Sequence, residues 1–117
     1  MVDDNPEIIQ ILEVNLIHAN FDVISARSGT EALATASKER PDLILLDIVL
    51  PDVDGLDVCR QIKESPQTSH IPIIAISAVA ESEGRIAAIA AGVEHYITKP
   101  FAPAEVVDLI SHFKLGT

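Results

Sequence analysis

Leu43-Ile44-Leu45-Leu46-Asp47 decides the fold, because this short aliphatic run ends directly in a carboxylate. A strand with one face in water would alternate apolar and polar side chains, whereas residues 43–46 are all apolar. Such a strand is typical of a parallel sheet that helices cover on both faces. The sequence Pro-Asp-Val-Asp-Gly at residues 51–55 then predicts a turn before the next element.

Short apolar runs alternate with amphipathic stretches on both sides of this strand. The alternation predicts an α/β fold in which helices flank a parallel sheet. Ser28 and Glu31 form a Ser-x-x-Glu capping box at the start of one helix, which Pro41 prevents from continuing. We predict helices over residues 6–20, 28–40, 56–64, 82–91 and 104–113, and strands over residues 21–26, 43–47, 71–77 and 93–98.

Length and composition indicate one globular domain with an aliphatic core. The chain has 117 residues, 48% of them hydrophobic but only 3% aromatic. A formal charge of −10 repels the phosphate backbone of nucleic acids, so we expect no direct contact with DNA or RNA. The apolar runs are far shorter than the roughly 20 residues that cross a bilayer, so we expect neither a membrane span nor a secretory leader. The single cysteine, Cys59, fits a reducing cytoplasm.

Polar residues stand where several apolar runs end. Ser77 lies thirty positions after Asp47, Lys99 lies twenty-two after Ser77, and the pair Asp3-Asp4 opens the chain. The carboxyl ends of parallel strands meet at one edge of the sheet, where ligands bind. Three carboxylates, a hydroxyl and an ammonium gathered there would make a metal-dependent phosphoryl site.

Four motifs occur in order along the chain: Val2-Asp3-Asp4-Asn5, then Leu45-Leu46-Asp47 with Leu50-Pro51 and Asp54-Gly55, then Ser77-Ala78, and finally Tyr96-Ile97-Thr98-Lys99-Pro100-Phe101. Together they resemble the receiver domain of bacterial response regulators, the CheY-like superfamily of two-component signalling. The resemblance covers essentially the whole chain, so residues 1–117 are expected to form one receiver domain. It implies a flavodoxin-like (βα)5 three-layer sandwich with a parallel sheet of order 2-1-3-4-5.

By this resemblance, Asp47 is the phosphoacceptor. A free aspartate has a pKa of about 3.9, so the nucleophile is ionised at neutral pH and needs no general base. Asp3, Asp4 and Asp47, with the backbone carbonyl of Val49, match the family's metal site. Their hard oxygen atoms suit Mg²⁺, with Mn²⁺ as an alternative.

The resemblance also assigns roles around the phosphoryl group. Lys99 pairs with Asp47 and then with a phosphoryl oxygen, and the hydroxyl of Ser77 bonds another. Tyr96 matches the aromatic switch position, whose movement changes the surface of the fourth helix, fifth strand and fifth helix. That surface is also a candidate homodimer interface. The bond between Lys99 and Pro100 is expected to be cis.

Val49 and Val79 lie two residues after Asp47 and Ser77, at positions that flank the phosphoryl group in this fold. Both are apolar and β-branched. We expect them to exclude the attacking water, so that the aspartyl phosphate hydrolyses slowly.

Three functions are candidates for a chain with these residues. The first is a signalling switch that takes its phosphoryl group from a histidine kinase or a histidine phosphotransfer protein. Such a switch is not a turnover enzyme, because it catalyses only its own phosphorylation and dephosphorylation. The second is a pseudo-receiver that binds partners without phosphorylation. The third is a hydrolase of the haloacid dehalogenase type, which needs a second Asp where this chain has Val49.

Two features depart from the family's pattern. Receivers usually have a longer apolar run before the acidic pair, whereas only Met1 and Val2 precede it here. We therefore expect the domain to lack most of its first, central strand, with neighbouring backbone groups losing ladder hydrogen bonds. In addition, Ala102 stands where many relatives have an N-capping Asp, at a cost of about 1 kcal/mol.

Overall fold

Helices and strands alternate in the structure as the sequence predicts. The structure is a computed structural model that describes residues 1–2, 6–48, 54–77, 82–98 and 101–115. All five predicted helices and three of the predicted strands are confirmed, with ends that differ by at most two residues. The helices are α1 (Pro6–His18), α2 (Gly29–Glu39), α3 (Gly55–Glu64), α4 (Ser82–Ala91) and α5 (Pro103–Leu115), and the strands are β1 (Ile44–Asp47), β2 (Ile73–Ser77) and β3 (His95–Thr98).

The three strands form a parallel sheet in the order β1-β2-β3. Asp47 of β1 is in register with Ile76 of β2, and Ser77 of β2 with Thr98 of β3. The carboxyl ends of all three strands therefore lie at one edge of the sheet.

Val2 extends this sheet beyond β1. It forms parallel bridges to Leu46 on one side and to Ala26 on the other. The order across the sheet is thus Ala26, Val2, β1, β2, β3, which corresponds to the predicted order 2-1-3-4-5. The first strand contributes two residues, as the short apolar run predicted.

The strand predicted over residues 21–26 is wrong for all but its last residue. Residues 21–25 have no regular secondary structure, and Ala26 alone makes a bridge. The reason is the short central partner, because a strand needs a neighbour to pair with and Met1 and Val2 reach only the end of this segment.

The apolar run of β1 is buried on both faces, which confirms the interpretation of residues 43–47. Ile44 and Leu46 belong to a cluster that includes residues from α2, α3 and α4. Leu45 points into a second cluster with residues from α1 and α5. The result is a three-layer sandwich with an aliphatic core.

The capping box of α2 forms, with one difference from the expected pattern. The Ser28 side chain caps the helix by accepting a hydrogen bond from the Glu31 N–H at 3.2 Å. The Glu31 carboxylate accepts from the N–H of Arg27, at 3.4 Å, one residue earlier than a standard box.

No helix in the described part of the chain is long and apolar enough to cross a membrane.

Candidate functional site

Asp47 is the most unusual side chain at the carboxyl edge of the sheet. It is only 4% exposed, and the other acidic side chains whose burial the structure describes are at least partly exposed. Burying a carboxylate is costly unless it is paired or binds a metal. A buried titratable group at the end of a core strand is therefore a candidate functional residue.

Hydrogen bonds to neighbouring segments on both sides hold the backbone at Asp47 and Ile48. Its N–H donates to the carbonyl of Val2 at 2.9 Å, and the N–H of Ile48 donates to the carbonyl of Ile76 at 3.1 Å. The carboxylate is consequently presented by a paired, central part of the sheet, which limits how far it can move.

Gly55 brings the start of α3 against this strand end. Its N–H donates to the carbonyl of Ile48 at 2.8 Å. A Cβ at this position would lie 2.5 Å from the Ile48 Cα and 2.7 Å from the Asp47 carbonyl oxygen. Only glycine allows this close approach.

Asp54 begins α3 by capping it, since its Oδ1 accepts a hydrogen bond from the Leu56 N–H at 2.9 Å. The sequence predicted only a turn in this region. The available signal was the Asp-Gly pair at the start of an amphipathic stretch, which combines an N-cap residue with a residue that permits close backbone contact.

The other predicted strand-end positions meet at the same edge. Ser77 ends β2 one position beyond Ile76, the register partner of Asp47, and it is paired with Thr98, the last residue of β3. The structure therefore brings the chain positions of Asp47 and Ser77 onto neighbouring strand ends, as predicted. Thr98 immediately precedes Lys99, so the chain reaches Lys99 from this edge.

Six of the predicted site residues lie outside the described residues: Asp3, Asp4, Val49, Val79, Lys99 and Pro100. The metal site, the lysine contact, the cis peptide bond and the valine flanks thus remain predictions.

Tyr96, the predicted switch residue, is buried in the middle of β3. It belongs to the same cluster as Ala88 and Ala91 of α4. Together with His95, Glu105 and other residues of β3 and α5, it lines a surface cavity of about 490 Å³. A side chain in this position contacts both the core and the surface formed by α4, β3 and α5.

The exposed face of α4 carries two large apolar side chains. Ile86 and Ile89 are 65% and 59% exposed, while Ala88 is fully buried. Neither isoleucine belongs to the sequence motifs described above. Their spacing of three places them on one helix face, which was the available signal.

Cys59 takes no part in the site. It is buried in α3, and its thiol donates to the carbonyl of Ala91 at 3.2 Å. Burial raises the pKa of the thiol to about 11, despite the opposing effect of Lys63. The group therefore stays protonated at neutral pH and is a poor nucleophile.

The chain is similar in sequence to curated proteins and in structure to solved ones. Two similar proteins come from Bacillus subtilis: the alkaline phosphatase synthesis transcriptional regulatory protein PhoP and the transcriptional regulatory protein ResD. Each is 42% identical to this chain over the aligned residues. The alignments cover 91% and 92% of this chain but 43% of each relative, so the chain spans less than half of their length. The structure of the chemotaxis response regulator CheY4 of Vibrio cholerae superposes with a TM-score of 0.90 at 28% identity, covering 96% of this chain and 93% of that one.

The parallel sheet, with the buried Asp47 at the end of β1, agrees with these similarities. The response regulator receiver domain family matches residues 1–111, which is nearly the whole sequence. The chain therefore belongs to the receiver domains of two-component response regulators, and it has their flavodoxin-like fold.

Proposed function

We propose that Asp47 accepts a phosphoryl group from a histidine kinase or a histidine phosphotransfer protein, and that this event switches the domain between two states. The observation that carries the proposal is the burial of the Asp47 carboxylate at the carboxyl edge of the sheet. Receiver domains take phosphoryl groups from histidine kinases, and the family match over residues 1–111 includes Asp47, which supports the proposal.

The transfer requires an oxygen nucleophile and a donor with a weak bond to phosphorus. One carboxylate oxygen of Asp47 attacks the phosphorus atom, and the bond between phosphorus and the donor's imidazole nitrogen breaks with its electron pair left on nitrogen. The product is an acyl phosphate on Asp47. The carboxylate needs no general base, so the chief demand on the protein is to position it and to reduce charge repulsion.

The residues around Asp47 suit a hard divalent cation such as Mg²⁺ or Mn²⁺. Val2 precedes the acidic pair and is in register with Leu46, which precedes Asp47. This register supports a shared set of carboxylates from Asp3, Asp4 and Asp47, completed by the carbonyl of Val49, all of them oxygen donors. When bound, the ion would offset the negative charge of the cluster and of the incoming phosphoryl oxygens.

Two further residues complete the proposed phosphoryl site. Lys99 follows the last residue of β3 and supplies a positive charge for Asp47 and then for a phosphoryl oxygen. Ser77 follows Ile76, the register partner of Asp47, and supplies a hydroxyl donor. Their strand-end positions support both assignments.

The output of the switch is the surface of α4, β3 and α5. Tyr96 of β3 is buried in the same cluster as Ala88 and Ala91 of α4. The exposed Ile86 and Ile89 give the surface an apolar patch. A phosphoryl group that favours one Tyr96 position over the other shifts the population of the two states. The same apolar patch suits a second receiver, which would give a homodimer in the phosphorylated state.

We place the domain in the cytoplasm, where it contacts neither nucleic acid nor membrane directly. A net charge of −10 supports the absence of direct nucleic-acid contact, because it repels the phosphate backbone. PhoP and ResD are described as transcriptional regulatory proteins, and any such output here would belong to a different domain.

Phosphorylation by acetyl phosphate in the presence of Mg²⁺ tests the proposal. Intact-mass spectrometry should show the gain of one phosphoryl group in the wild type and none in Asp47→Asn. Asp57→Asn is the matched control, because Asp57 is an exposed carboxylate of α3. No gain in the wild type would favour the pseudo-receiver, and sustained release of phosphate over many turnovers would favour a hydrolase.

A further inference from the structure

The segment that joins α4 to β3 is attached to α3 by three contacts. The Cys59 thiol donates to the carbonyl of Ala91 at 3.2 Å, inside the core. The aliphatic part of Lys63 lies against Gly92, whose added Cβ would be 2.9 Å from the Lys63 Cγ. The Lys63 ammonium donates to Glu94 Oε1 at 2.7 Å. The contacts of α3 therefore extend along residues 91–94, from the last residue of α4 to the residue before β3.

Glu94 connects the same segment to the start of β2. Its second carboxylate oxygen accepts a hydrogen bond from the Ile73 N–H at 2.5 Å, and its own N–H donates to the Ile73 carbonyl at 2.9 Å. The Lys63 ammonium also donates to the carbonyl of Ile71 at 2.7 Å. Lys63 and Glu94, with the backbone of Ile71 and Ile73, make up the Lys63–Glu94 network. The Lys63 side chain is 19% exposed, so water screens this ion pair less than a pair on the open surface.

Tyr96 lies two residues after Glu94, and it borders both the core and a cavity. It is 9% exposed and packs in the cluster that contains Ala88 and Ala91 of α4. Together with Glu105 of α5, it also lines the surface cavity of about 490 Å³. Tyr96 thus has a buried position beside α4, and the cavity offers it space outside the core.

The Lys63–Glu94 network fixes the two elements that form the buried position of Tyr96. Lys63 holds the end of α4 through its contact with Gly92, and Glu94 holds the start of β3 against β2. The alanines of α4 are too short to follow a ring that shifts with β3. The buried position consequently depends on the distance between the end of α4 and the start of β3, which the network sets.

We propose that the Lys63–Glu94 network holds the turn between α4 and β3 in the arrangement that buries Tyr96, so that Lys63 is a positioning residue for the switch, a role that rests on the proposed function of Tyr96. Lys63 acts at the amino end of the sheet, opposite the edge where Asp47 lies. It changes the relative populations of two Tyr96 positions without touching the phosphoryl group. Loss of the Lys63 ammonium therefore raises the population in which Tyr96 is exposed, even before phosphorylation.

Quenching of tyrosine fluorescence by acrylamide measures the exposure of Tyr96. Tyr96 is the only tyrosine, and the chain has no tryptophan, so the emission comes from this residue alone. Lys63→Met keeps an unbranched apolar stem against Gly92 and removes the ammonium. We expect the quenching constant of the unphosphorylated protein to rise about twofold or more in Lys63→Met. Glu94→Gln breaks the same ion pair and should raise the quenching constant in the same direction.

Arg60→Met is the matched control, because it also removes a cation from α3, but one that pairs within the helix, with Asp57. Its quenching constant should equal that of the wild type. Lys63→Arg retains the positive charge and should also match the wild type. An ion pair that only stabilised the fold would lower the free energy of unfolding and leave the quenching of the folded protein unchanged.

Equal quenching in the wild type, Lys63→Met and Glu94→Gln would overturn the positioning role, as would an equal rise in Arg60→Met. The titrations use unphosphorylated protein, so a failure of Asp47 to accept a phosphoryl group would not alter them. Unchanged quenching, in turn, would leave the result of the phosphorylation assay as it stands.

Discussion

The two ends of the sheet differ in how completely they are built. At the carboxyl end, Asp47 is held by backbone bonds on both sides, and Gly55 brings α3 into direct backbone contact with the strand. At the amino end, residues 21–25 have no regular secondary structure, and a cavity of about 750 Å³ lies between them and the start of β1. The difference teaches that regular backbone pairing is concentrated around Asp47, the proposed phosphoacceptor.

The amino end has its own support on the side of β2 and β3. Lys63 donates to the carbonyl of Ile71 and to Glu94 Oε1, both at 2.7 Å, and Glu94 accepts from the N–H of Ile73 at 2.5 Å. This half-buried ion pair ties the loop before β2 to the start of β3. The amino end of the sheet is therefore held by side-chain contacts at β2 and β3. Substitutions at the amino and carboxyl ends of the sheet should have separable effects.

The largest expected effect comes from Gly55→Ala. The added Cβ would lie 2.5 Å from backbone, which cannot move aside cheaply, so we expect a loss of about 3 kcal/mol in the free energy of unfolding. Phosphorylation by acetyl phosphate should also slow, because the Asp47 carbonyl must shift. Urea titration and the rate of mass gain measure the two effects.

Gly92→Ala is the control at the amino end. Gly92 has a φ of 108°, and its added Cβ would lie 2.9 Å from the Cγ of Lys63. The Gly92→Ala substitution should lower the free energy of unfolding by about 2 kcal/mol, through backbone strain and the contact with Lys63, while leaving the phosphorylation rate unchanged. If both substitutions slowed phosphorylation equally, the contrast between the two ends would be wrong.

In a polypeptide of residues 1–117, a smaller effect should follow from the pH dependence of the Met1 amine. Its pKa falls from 8.0 in the unfolded chain to about 6 in the folded one, because burial disfavours the charge. Between these values the unfolded state binds more protons, so stability should rise by about 2 kcal/mol from pH 6 to pH 8. Below pH 6 the full penalty is present, and above pH 8 it disappears.

Denaturation of the chain with and without Nα-acetylation isolates this amine from the histidines, which are common to both forms. The difference between the two stability curves should vary between pH 6 and 8 and level off above pH 8. Parallel curves would show that the Met1 amine is not desolvated.

Local patterns account for the parts of the fold that the sequence predicts correctly. Residues 43–47 are apolar at successive positions, and β1 is buried on both faces. The position of Asp47 at the functional edge follows from the same run, because parallel strands share their carboxyl ends.

Contacts between distant residues account for what the sequence does not reveal. Lys63 and Glu94 lie 31 positions apart, and neither belongs to a motif. The close approach that requires Gly55 depends on where Ile48 lies in space. The failed strand over residues 21–25 has suitable β-forming residues, but its partner supplies only Met1 and Val2. Propensity cannot form a ladder without a neighbour.

The smallest expected effect concerns the lifetime of the phosphorylated state at the carboxyl end. Val49 and Val79 follow Asp47 and Ser77 by two positions, and neither can hydrogen-bond a water molecule through its side chain. Val49→Asn and Val79→Glu each supply a group that can orient the attacking water, so dephosphorylation should accelerate by about three- to tenfold, equivalent to about 1 kcal/mol in the barrier. Decay of the phosphorylated mass after removal of acetyl phosphate measures the rate. Val49→Ala and Val79→Ala separate polarity from size: if the alanine variants accelerate as much as the polar ones, water access and not water orientation limits hydrolysis, and if no variant accelerates, the two valines do not govern the lifetime.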